Sequence, residues 1–263
     1  MVDQETLRKA QLRIIDILKE IDRICQKHDI KWVIDYGTLL GAVRHNGFIP
    51  WDDDCDISMM REDYEKFISV VGKELGPEFL WQSRETDPSY PRPIAKVRLK
   101  NTKLVEFDEE DNMPYHQGIF VDIYILDYYP SCAKKVLPLF QIMPALRGKR
   151  TKYPRGSVMR GVIGVLTAIP YMFHSLGEKI FKLYCKRIRK DPNQPYVGIE
   201  IKTTEGVVFR KEEAFPFKRE YPFEGEYFPT FNNADACLKI RYGDYMVLPK
   251  PEERHIHAKK IEL

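Results

Sequence analysis

Four aspartates within five positions, at residues 52–56, are the feature that most limits how this chain can fold. The apolar residues Ile57 and Met59 follow them, which indicates the start of a buried strand rather than an exposed acidic turn. Side chains alternate along a strand, so we predict that Asp52, Asp54 and Asp56 project from one face. Carboxylates this close repel one another unless a cation lies among them, so the fold has to build a charged site around them.

Oxygen ligands of this kind suit Mg²⁺ or Mn²⁺, which keep several waters and bridge to substrate phosphates. Upstream, Gly37 and Thr38 follow a predicted strand, and a glycine turn there would let backbone N–H groups approach a phosphate closely. A further carboxylate, Asp122, lies inside the apolar run IFVDIYIL, where a charge without a partner is costly. We predict that Asp122 faces the same metal site; a strand-end cap or a salt-bridge partner is the alternative.

The net charge of +3 conceals a strong asymmetry along the chain. Residues 131–190 contain 14 Lys and Arg residues against a single acid, Glu178, so the remainder is net acidic. Within this basic stretch, residues 162–173 are almost all apolar, but they fall short of the roughly 20 residues that span a bilayer and contain Pro170. Two interpretations remain open: a helix lying on an anionic membrane surface, or a buried core helix flanked by solvated lysines.

The cysteines and the N-terminal residues indicate the cellular compartment of the protein. Five widely spaced cysteines without a CxxC pair argue against a disulfide framework and against a structural zinc site, and favour a reducing, cytoplasmic interior. The first residues are charged throughout and lack the apolar core of a secretory signal. The acidic body offers no basic track for phosphates, which argues against a nucleic-acid partner.

Hydrophobic periodicity predicts an α+β fold in which helices flank a mixed or antiparallel sheet. Predicted helices cover residues 4–28, 38–44, 63–75 and 233–241, and predicted strands cover residues 31–35, 54–59, 94–99, 104–107 and 119–126. We expect residues 1–130 to form a catalytic core and residues 131–195 to form a helical insertion, basic and partly apolar, that contacts the membrane surface. Residues 196–263 would then complete the catalytic domain.

Motifs at both ends of the chain resemble those of one family. A Gly-Thr turn, an Asp-x-Asp pair (Asp54 and Asp56) and a third Asp on a later strand (Asp122) are similar to the arrangement of the nucleotidyltransferase superfamily. The segment DYGTLLGAVRH at residues 35–45, running into GFIPWDDDCD at residues 47–56, resembles the LicD family of that superfamily. The distal FEG, FP, YGDYM and LP resemble the family's C-terminal motif, with Cys55 in place of an aliphatic residue and Lys250 in place of a second proline as departures.

The resemblance implies a nucleotidyltransferase-like core and transfer of phosphocholine from CDP-choline, releasing CMP. The acceptor would be a sugar hydroxyl of a lipid-linked or cell-surface glycan (teichoic acid, lipopolysaccharide or capsule), reached peripherally at the inner face of the cell membrane. Related members move ribitol-phosphate or glycerol-phosphate. Asp54 and Asp56 would hold Mg²⁺ (or Mn²⁺), Asp52 would complete this metal site or a second one, and Asp122 would bind the metal and take the acceptor proton.

Other residues are weaker candidates for ligand contacts, and for most of them a purely structural role is the alternative. Arg44 and His45 would contact donor phosphates or form a solvated helix end, and Lys96 and Arg98 would reach the diphosphate or form a polar sheet face. Arg254 and His257 would line the acceptor side or lie in an exposed tail. Candidates for an aromatic choline cage are Trp81, Tyr115, Tyr124 and Tyr242.

Two rival functions remain open on the sequence alone. The first is a true nucleotidyltransferase that adds a nucleotide to a small-molecule acceptor and releases pyrophosphate instead of CMP. The second is a non-catalytic scaffold in glycan assembly. The intact carboxylates argue against the scaffold, because it has no need for a costly acidic cluster.

Overall fold

The computed structural model of the chain describes residues 2–138, 156–158, 175–200, 207–254 and 256–263. It divides into two compact units, the first made of Met1–Ile125 with Glu212–Leu263 and the second of Leu126–Lys211. The predicted combination of helices and a sheet is confirmed, and the nucleotidyltransferase-like character of the core stays a prediction. The predicted apolar segment at residues 162–173 lies outside the described residues.

The first unit begins with helix α1, Gln4–Lys27, close to the predicted helix. Asp3 caps it, because its side chain accepts a hydrogen bond from the backbone N–H of Thr6. The apolar face that the periodicity predicted is buried, and it includes Ile14, Leu18 and Ile21. α1 therefore supplies much of the core against which the sheet packs.

The strands are β1 (Trp32–Ile34), β2 (Asp56–Met60), β3 (Phe79–Gln82), β4 (Ala95–Leu99), β5 (Lys103–Glu106), β6 (Phe120–Tyr129), β7 (Tyr196–Ile199), β8 (Val208–Arg210) and β9 (Ala258–Glu262). In the first unit the order across the sheet is β1-β2-β6-β4-β3, and β5 pairs separately with β9. β2 and β6 are therefore neighbours, and the Asp122 backbone N–H donates to the Cys55 carbonyl at 2.8 Å. This pairing brings the two predicted acidic segments together.

Three further helices of the first unit are α2 (Tyr36–His45), α3 (Arg61–Glu74) and α4 (Ala234–Tyr242). Lys211–Ala214 and Pro251–Glu253 form single helical turns. Asp35 caps α2 at its start, and Asn46 ends it in the left-handed conformation at φ 58°. Asn233 caps α4 through a hydrogen bond from the Ala236 N–H.

Two local predictions were wrong. Gly37 lies within the first turn of α2 and not in a turn after the strand. The second strand begins at Asp56 and not at Asp54, so Asp52 and Asp54 lie in the preceding loop and strand alternation does not place them. Strands β3, β7, β8 and β9 were not predicted.

The second unit contains the last residues of β6, which pair with β7, and β7 pairs with β8. Residues 133–138 and 175–188 are helical. Their buried side chains form a small core with the strands, consisting of Tyr129, Ala133, Leu137, Phe181, Cys185 and Val208. Among the described residues, no helix is long and apolar enough to cross a membrane.

Candidate active site

The acidic loop before β2, defined here as residues 52–54, is held in place from two sides. The Gln11 side-chain amide of α1 donates to the Asp52 carbonyl at 2.8 Å, and the Asp52 N–H donates to the Ile49 carbonyl at 2.9 Å. These two hydrogen bonds fix the loop through the backbone of Asp52.

Gly37 and Thr38, the predicted phosphate-binding pair, both contact the acidic segment. A Cβ atom on Gly37 would lie 2.7 Å from Oδ2 of Asp52, so a larger residue there would displace that carboxylate. The Thr38 hydroxyl accepts a hydrogen bond from the Asp56 N–H at 2.8 Å. The start of α2 therefore positions both ends of the acidic segment.

Three aspartates carry strongly perturbed charges. Burial, followed by the charge of Asp54, raises the pKa of Asp52 well above its usual value. Burial likewise raises the pKa of Asp56, with further contributions from Asp54 and Asp122. Burial raises the pKa of Asp54 as well. The negative charges at this site are therefore costly together, and a cation among them would relieve that cost.

Asp53 and His257 join this loop, and our interpretation of the sequence gave Asp53 no role. Asp53 is buried and accepts hydrogen bonds from the backbone N–H groups of His257 (3.0 Å) and Ala258. The His257 Nδ1 lies 3.3 Å from Asp53 Oδ1 and 3.6 Å from Asp54 Oδ2. The hydrogen bond to Asp53, and then the charge of Asp54, raise the pKa of His257 to about 9 against the opposing effect of burial.

Among the described residues, the group whose possible ligand atoms all lie within 4.8 Å of one another is Asp52, Asp53, Asp54 and His257. This group contains two of the four predicted metal ligands. The other two, Asp56 and Asp122, lie on the neighbouring strands β2 and β6. Both carboxylate oxygens of Asp53 accept hydrogen bonds from backbone N–H groups, so Asp53 holds the loop in place.

Asp122 has the salt-bridge partner that its position in an apolar strand demands. It lies opposite Lys96 in the β4–β6 register, and Lys96 Nζ is 2.9 Å from Oδ1 and donates to Oδ2 at 3.2 Å. Asp122 Oδ1 is buried and accepts no hydrogen bond from the described residues. Lys96 also lies 3.1 Å from the centre of the Phe120 ring, and burial lowers its pKa.

The remaining predicted contact residues are placed less directly. Arg98 is fully buried and donates to the side chain of Gln82 and to the Gly118 carbonyl at 2.6 Å. Arg44 donates to the Tyr245 carbonyl at 2.6 Å and to His45 Nε2 at 2.9 Å. These contacts tie β4 to its surroundings and α2 to the distal motif.

Aromatic side chains line the acidic site. Burial raises the pKa of Tyr124, and the charges of Asp56 and Asp122 add to this effect. Tyr124 packs on Tyr36, with ring centres 4.7 Å apart. Of the other predicted cage residues, Trp81 packs against Phe67 and Tyr64, Tyr115 packs against Tyr90, and the pKa of Tyr242 is raised by burial and, among other charges, by those of Asp35 and Asp56.

A buried ion pair, formed by Asp35 and Arg241, lies beside Tyr36. Asp35 accepts hydrogen bonds from the Tyr36 N–H, the Ser58 hydroxyl and the Arg241 guanidinium. The Arg241 guanidinium lies 3.7 Å from the centre of the Tyr36 ring. The pair thereby links α2, β2 and α4 beside Asp56. In the sequence, the pair was indicated only indirectly, since Asp35 and Tyr242 lie in the two motifs that resemble the LicD family.

The family profile described as "LicD/FKTN/FKRP, nucleotidyltransferase domain" matches residues 29–133, which include α2, the acidic loop and Asp122. The chain is 27% identical over 262 residues to the lipopolysaccharide cholinephosphotransferase LicD of Haemophilus influenzae, covering 96% of each chain. The chain is similar to the LicD family. Two uncharacterised proteins also match: one from Rickettsia prowazekii is 49% identical over 47% of this chain and 42% of its own length, and one from Rickettsia typhi is 44% identical over 26% and 23%.

The predicted resemblance to the LicD family is thus confirmed. The Haemophilus relative is aligned along 96% of both chains, so its match extends well beyond the residues that the profile covers. The LicD profile itself ends at residue 133, before the distal residues that contact the acidic loop.

Proposed function

We propose that this protein is a phosphotransferase of the LicD type, which moves phosphocholine from CDP-choline to a sugar hydroxyl of a cell-surface glycan and releases CMP. A related phospho-alcohol, ribitol-phosphate or glycerol-phosphate, on the same type of CDP-linked donor is the nearest variant. The observation that carries the proposal is the alignment with a lipopolysaccharide cholinephosphotransferase over 96% of the chain, through the segment that holds the acidic loop.

A divalent cation, Mg²⁺ or Mn²⁺, fits the residues that are present. Asp52 and Asp54 each have a carboxylate oxygen within 4.8 Å of the other, their charges add to the effect of burial in raising the pKa of Asp56, and Gly37 leaves room for the Asp52 carboxylate. Asp122 contributes a buried carboxylate oxygen that accepts no hydrogen bond from the described residues. Asp52, Asp54, Asp56 and Asp122 would hold the cation, which would supply neutralisation of the charge on the donor diphosphate.

The protein's own residues would orient the reactants. Thr38 fixes the backbone of Asp56, and Lys96 fixes the orientation of the Asp122 carboxylate. Asp122 would also accept the proton of the attacking sugar hydroxyl.

The location follows from the acceptor. A glycan that is assembled on a lipid carrier is presented at the membrane surface, so we propose that the protein acts peripherally at the inner face of the cell membrane. The excess of basic residues between positions 131 and 190 supports contact with anionic lipid. The division into a catalytic core of residues 1–130, an insertion of residues 131–195 and a completing region of residues 196–263 stays part of this proposal.

A nucleotidyltransferase that adds a nucleotide to a small-molecule acceptor is the second candidate, favoured by the description of the matching profile as a nucleotidyltransferase domain. The two activities differ in the phosphorus that is attacked and therefore in the product released. A phosphocholine transferase releases CMP, whereas a nucleotidyltransferase releases pyrophosphate. Product analysis thus separates them.

Calorimetric titration with CDP-choline, CDP-ribitol and CDP-glycerol, each with and without Mg²⁺, tests the donor. Mg²⁺-dependent binding of CDP-choline alone supports phosphocholine transfer, binding of another donor changes the product, and binding of none contradicts the proposal. Asp54→Asn and Asp56→Asn should each lower turnover at least about 100-fold while the fold is retained. Asp16→Asn, an exposed carboxylate paired with Arg13, is the matched control and should change nothing.

A further inference from the structure

An apolar stripe runs along the outside of the helical residues 175–188 in the second unit. Leu176, Ile180 and Leu183 are 56%, 59% and 64% exposed, and Tyr184 is 47% exposed. Their spacing of four, three and one residues puts all four on one side of an α-helix. Single exposed apolar residues are ordinary on protein surfaces, but a continuous row of large ones marks an interaction surface.

The orientation of this helix is set by its opposite side. Phe181 and Cys185 are buried against Tyr129, Ala133 and Val208 in the core of the second unit. Positions 181 and 185 lie about 130° around the helix axis from the middle of the stripe, at about 100° per residue. The stripe therefore cannot turn inward without removing Phe181 and Cys185 from that core.

Basic side chains accompany the stripe. Lys179, Lys182 and Lys186 lie along one flank of it, and Arg187 extends it at the C-terminal end. The helix carries a single acid, Glu178, whose carboxylate is neutralised by Lys182 at 2.6 Å. Large apolar residues bordered by lysines, with the only acid neutralised, complement a surface that combines negative headgroups with hydrocarbon.

We propose that residues 175–188 are the membrane-binding element of this protein and lie in the headgroup region of a bilayer containing anionic lipid. The side chains of Leu176, Ile180 and Leu183 enter the acyl boundary, and the flanking lysines contact lipid phosphates. The inference rests on the proposed function in that it assigns the membrane contact of the same enzyme. It assigns the membrane contact to a helix whose exposed side is defined, and it leaves both interpretations of residues 162–173 open.

Vesicle flotation of the full chain tests the element directly. The wild type should float with vesicles of phosphatidylcholine and phosphatidylglycerol and stay largely unbound with phosphatidylcholine alone. The triple variant Leu176→Ser/Ile180→Ser/Leu183→Ser should lower the ratio of bound to free protein at least about 10-fold, because each serine removes most of the apolar area that one side chain would bury in the bilayer. The matched control Leu12→Ser/Ile68→Ser/Ile240→Ser removes three apolar residues that are 48%, 45% and 43% exposed in the first unit, and should bind as wild type does.

Three results would overturn the proposal: equal binding of the triple variant and the wild type, binding of the wild type that is independent of phosphatidylglycerol, or no vesicle binding at all. A large fall in the melting temperature of the triple variant would also overturn it, because the stripe would then pack against another part of the chain. Turnover of CDP-choline with a lipid-free acceptor is measured in parallel. The triple variant should retain it, whereas its absence in the wild type would refute the proposed function and leave the membrane contact standing.

Discussion

Replacing Arg241 by methionine removes the guanidinium that neutralises Asp35 while keeping most of the aliphatic side chain. The side chains of this pair are 7% and 0% exposed, so neither charge can be solvated in its place. Asp35 would remain in contact with the Tyr36 N–H and the Ser58 hydroxyl, which are neutral donors. We therefore expect Arg241→Met to lower the free energy of unfolding strongly.

The size of the effect follows from the burial. Removing one partner of a buried ion pair costs about 3–5 kcal/mol. Because two hydrogen bonds to Asp35 remain, we expect about 3 kcal/mol, at the lower end of this range. For a protein of this size that corresponds to a fall in melting temperature of about 6–12 °C.

Urea unfolding followed by circular dichroism measures the change, and Lys239→Met provides the matched control. Lys239 lies on the same helix, two residues before Arg241, and pairs with Asp235 at 2.8 Å with side chains that are 64% and 50% exposed. An exposed pair of this kind contributes about 0.3–0.5 kcal/mol. The two substitutions remove one positive charge each and differ mainly in the burial of the partner.

A difference of less than about 1 kcal/mol between Arg241→Met and Lys239→Met would refute this reasoning, because burial would then carry no penalty. The double variant Asp35→Asn/Arg241→Met provides a second check. It removes both charges and should be more stable than the sum of the two single changes indicates. Simple additivity would mean that the two residues do not interact.

Three further predictions concern the loop and its supports. Gly37→Ala should lower Mg²⁺-dependent turnover, because the added Cβ would displace the Asp52 carboxylate. The control Gly72→Ala adds a Cβ that meets no atom within 4 Å, so it should leave turnover intact and raise the free energy of unfolding by about 0.5–1 kcal/mol. Equal turnover of the two variants would contradict the role of Gly37. Asp53→Asn should lower stability by about 1.5–3 kcal/mol and speed amide hydrogen exchange at His257 and Ala258, and unchanged exchange there would disprove the anchoring role. Glu224 has a pKa below the usual 4.5 because Arg8 donates a hydrogen bond to it, so the ion pair stabilises the fold fully above pH 4.5 and loses this effect as the pH falls through the lowered pKa. In urea unfolding, Glu224→Gln should therefore reduce the loss of unfolding free energy at acid pH. An unchanged dependence of stability on pH would exclude this ion pair as the cause of that loss.

Periodic segments were predicted well and contacts between distant segments were not. α1 was found nearly to the residue because its apolar face repeats from Leu7 to Cys25. β3 and β9 were missed because each is short and alternates weakly, and β9 gains its place by pairing with β5, far away in the chain. Local pattern carries no information about such a partner.

The candidate site shows the same division. The location of Asp122 in a strand followed from its apolar neighbours, whereas Asp52 and Asp54 were predicted on a strand face and lie in a loop. Lys96 and Asp122 form a pair only through the β4–β6 register. Gly37 was assigned to a turn because glycine after a predicted strand commonly marks one. The close approach of Asp52 outweighs that preference, and it becomes visible only in three dimensions.

The anchoring of Asp53 to the backbone N–H groups of His257 and Ala258 also has a consequence for the order of events during synthesis. The hydrogen-bonded residues Asp53 and His257 are separated by 204 positions, so the acidic loop gains this support only after the ribosome has added the distal segment. At about 5–20 residues per second, roughly 10–40 s pass between the emergence of the loop and that of its anchor. A nascent chain therefore carries its carboxylates without this support for most of its synthesis, and the mature geometry of the loop is a late product of folding.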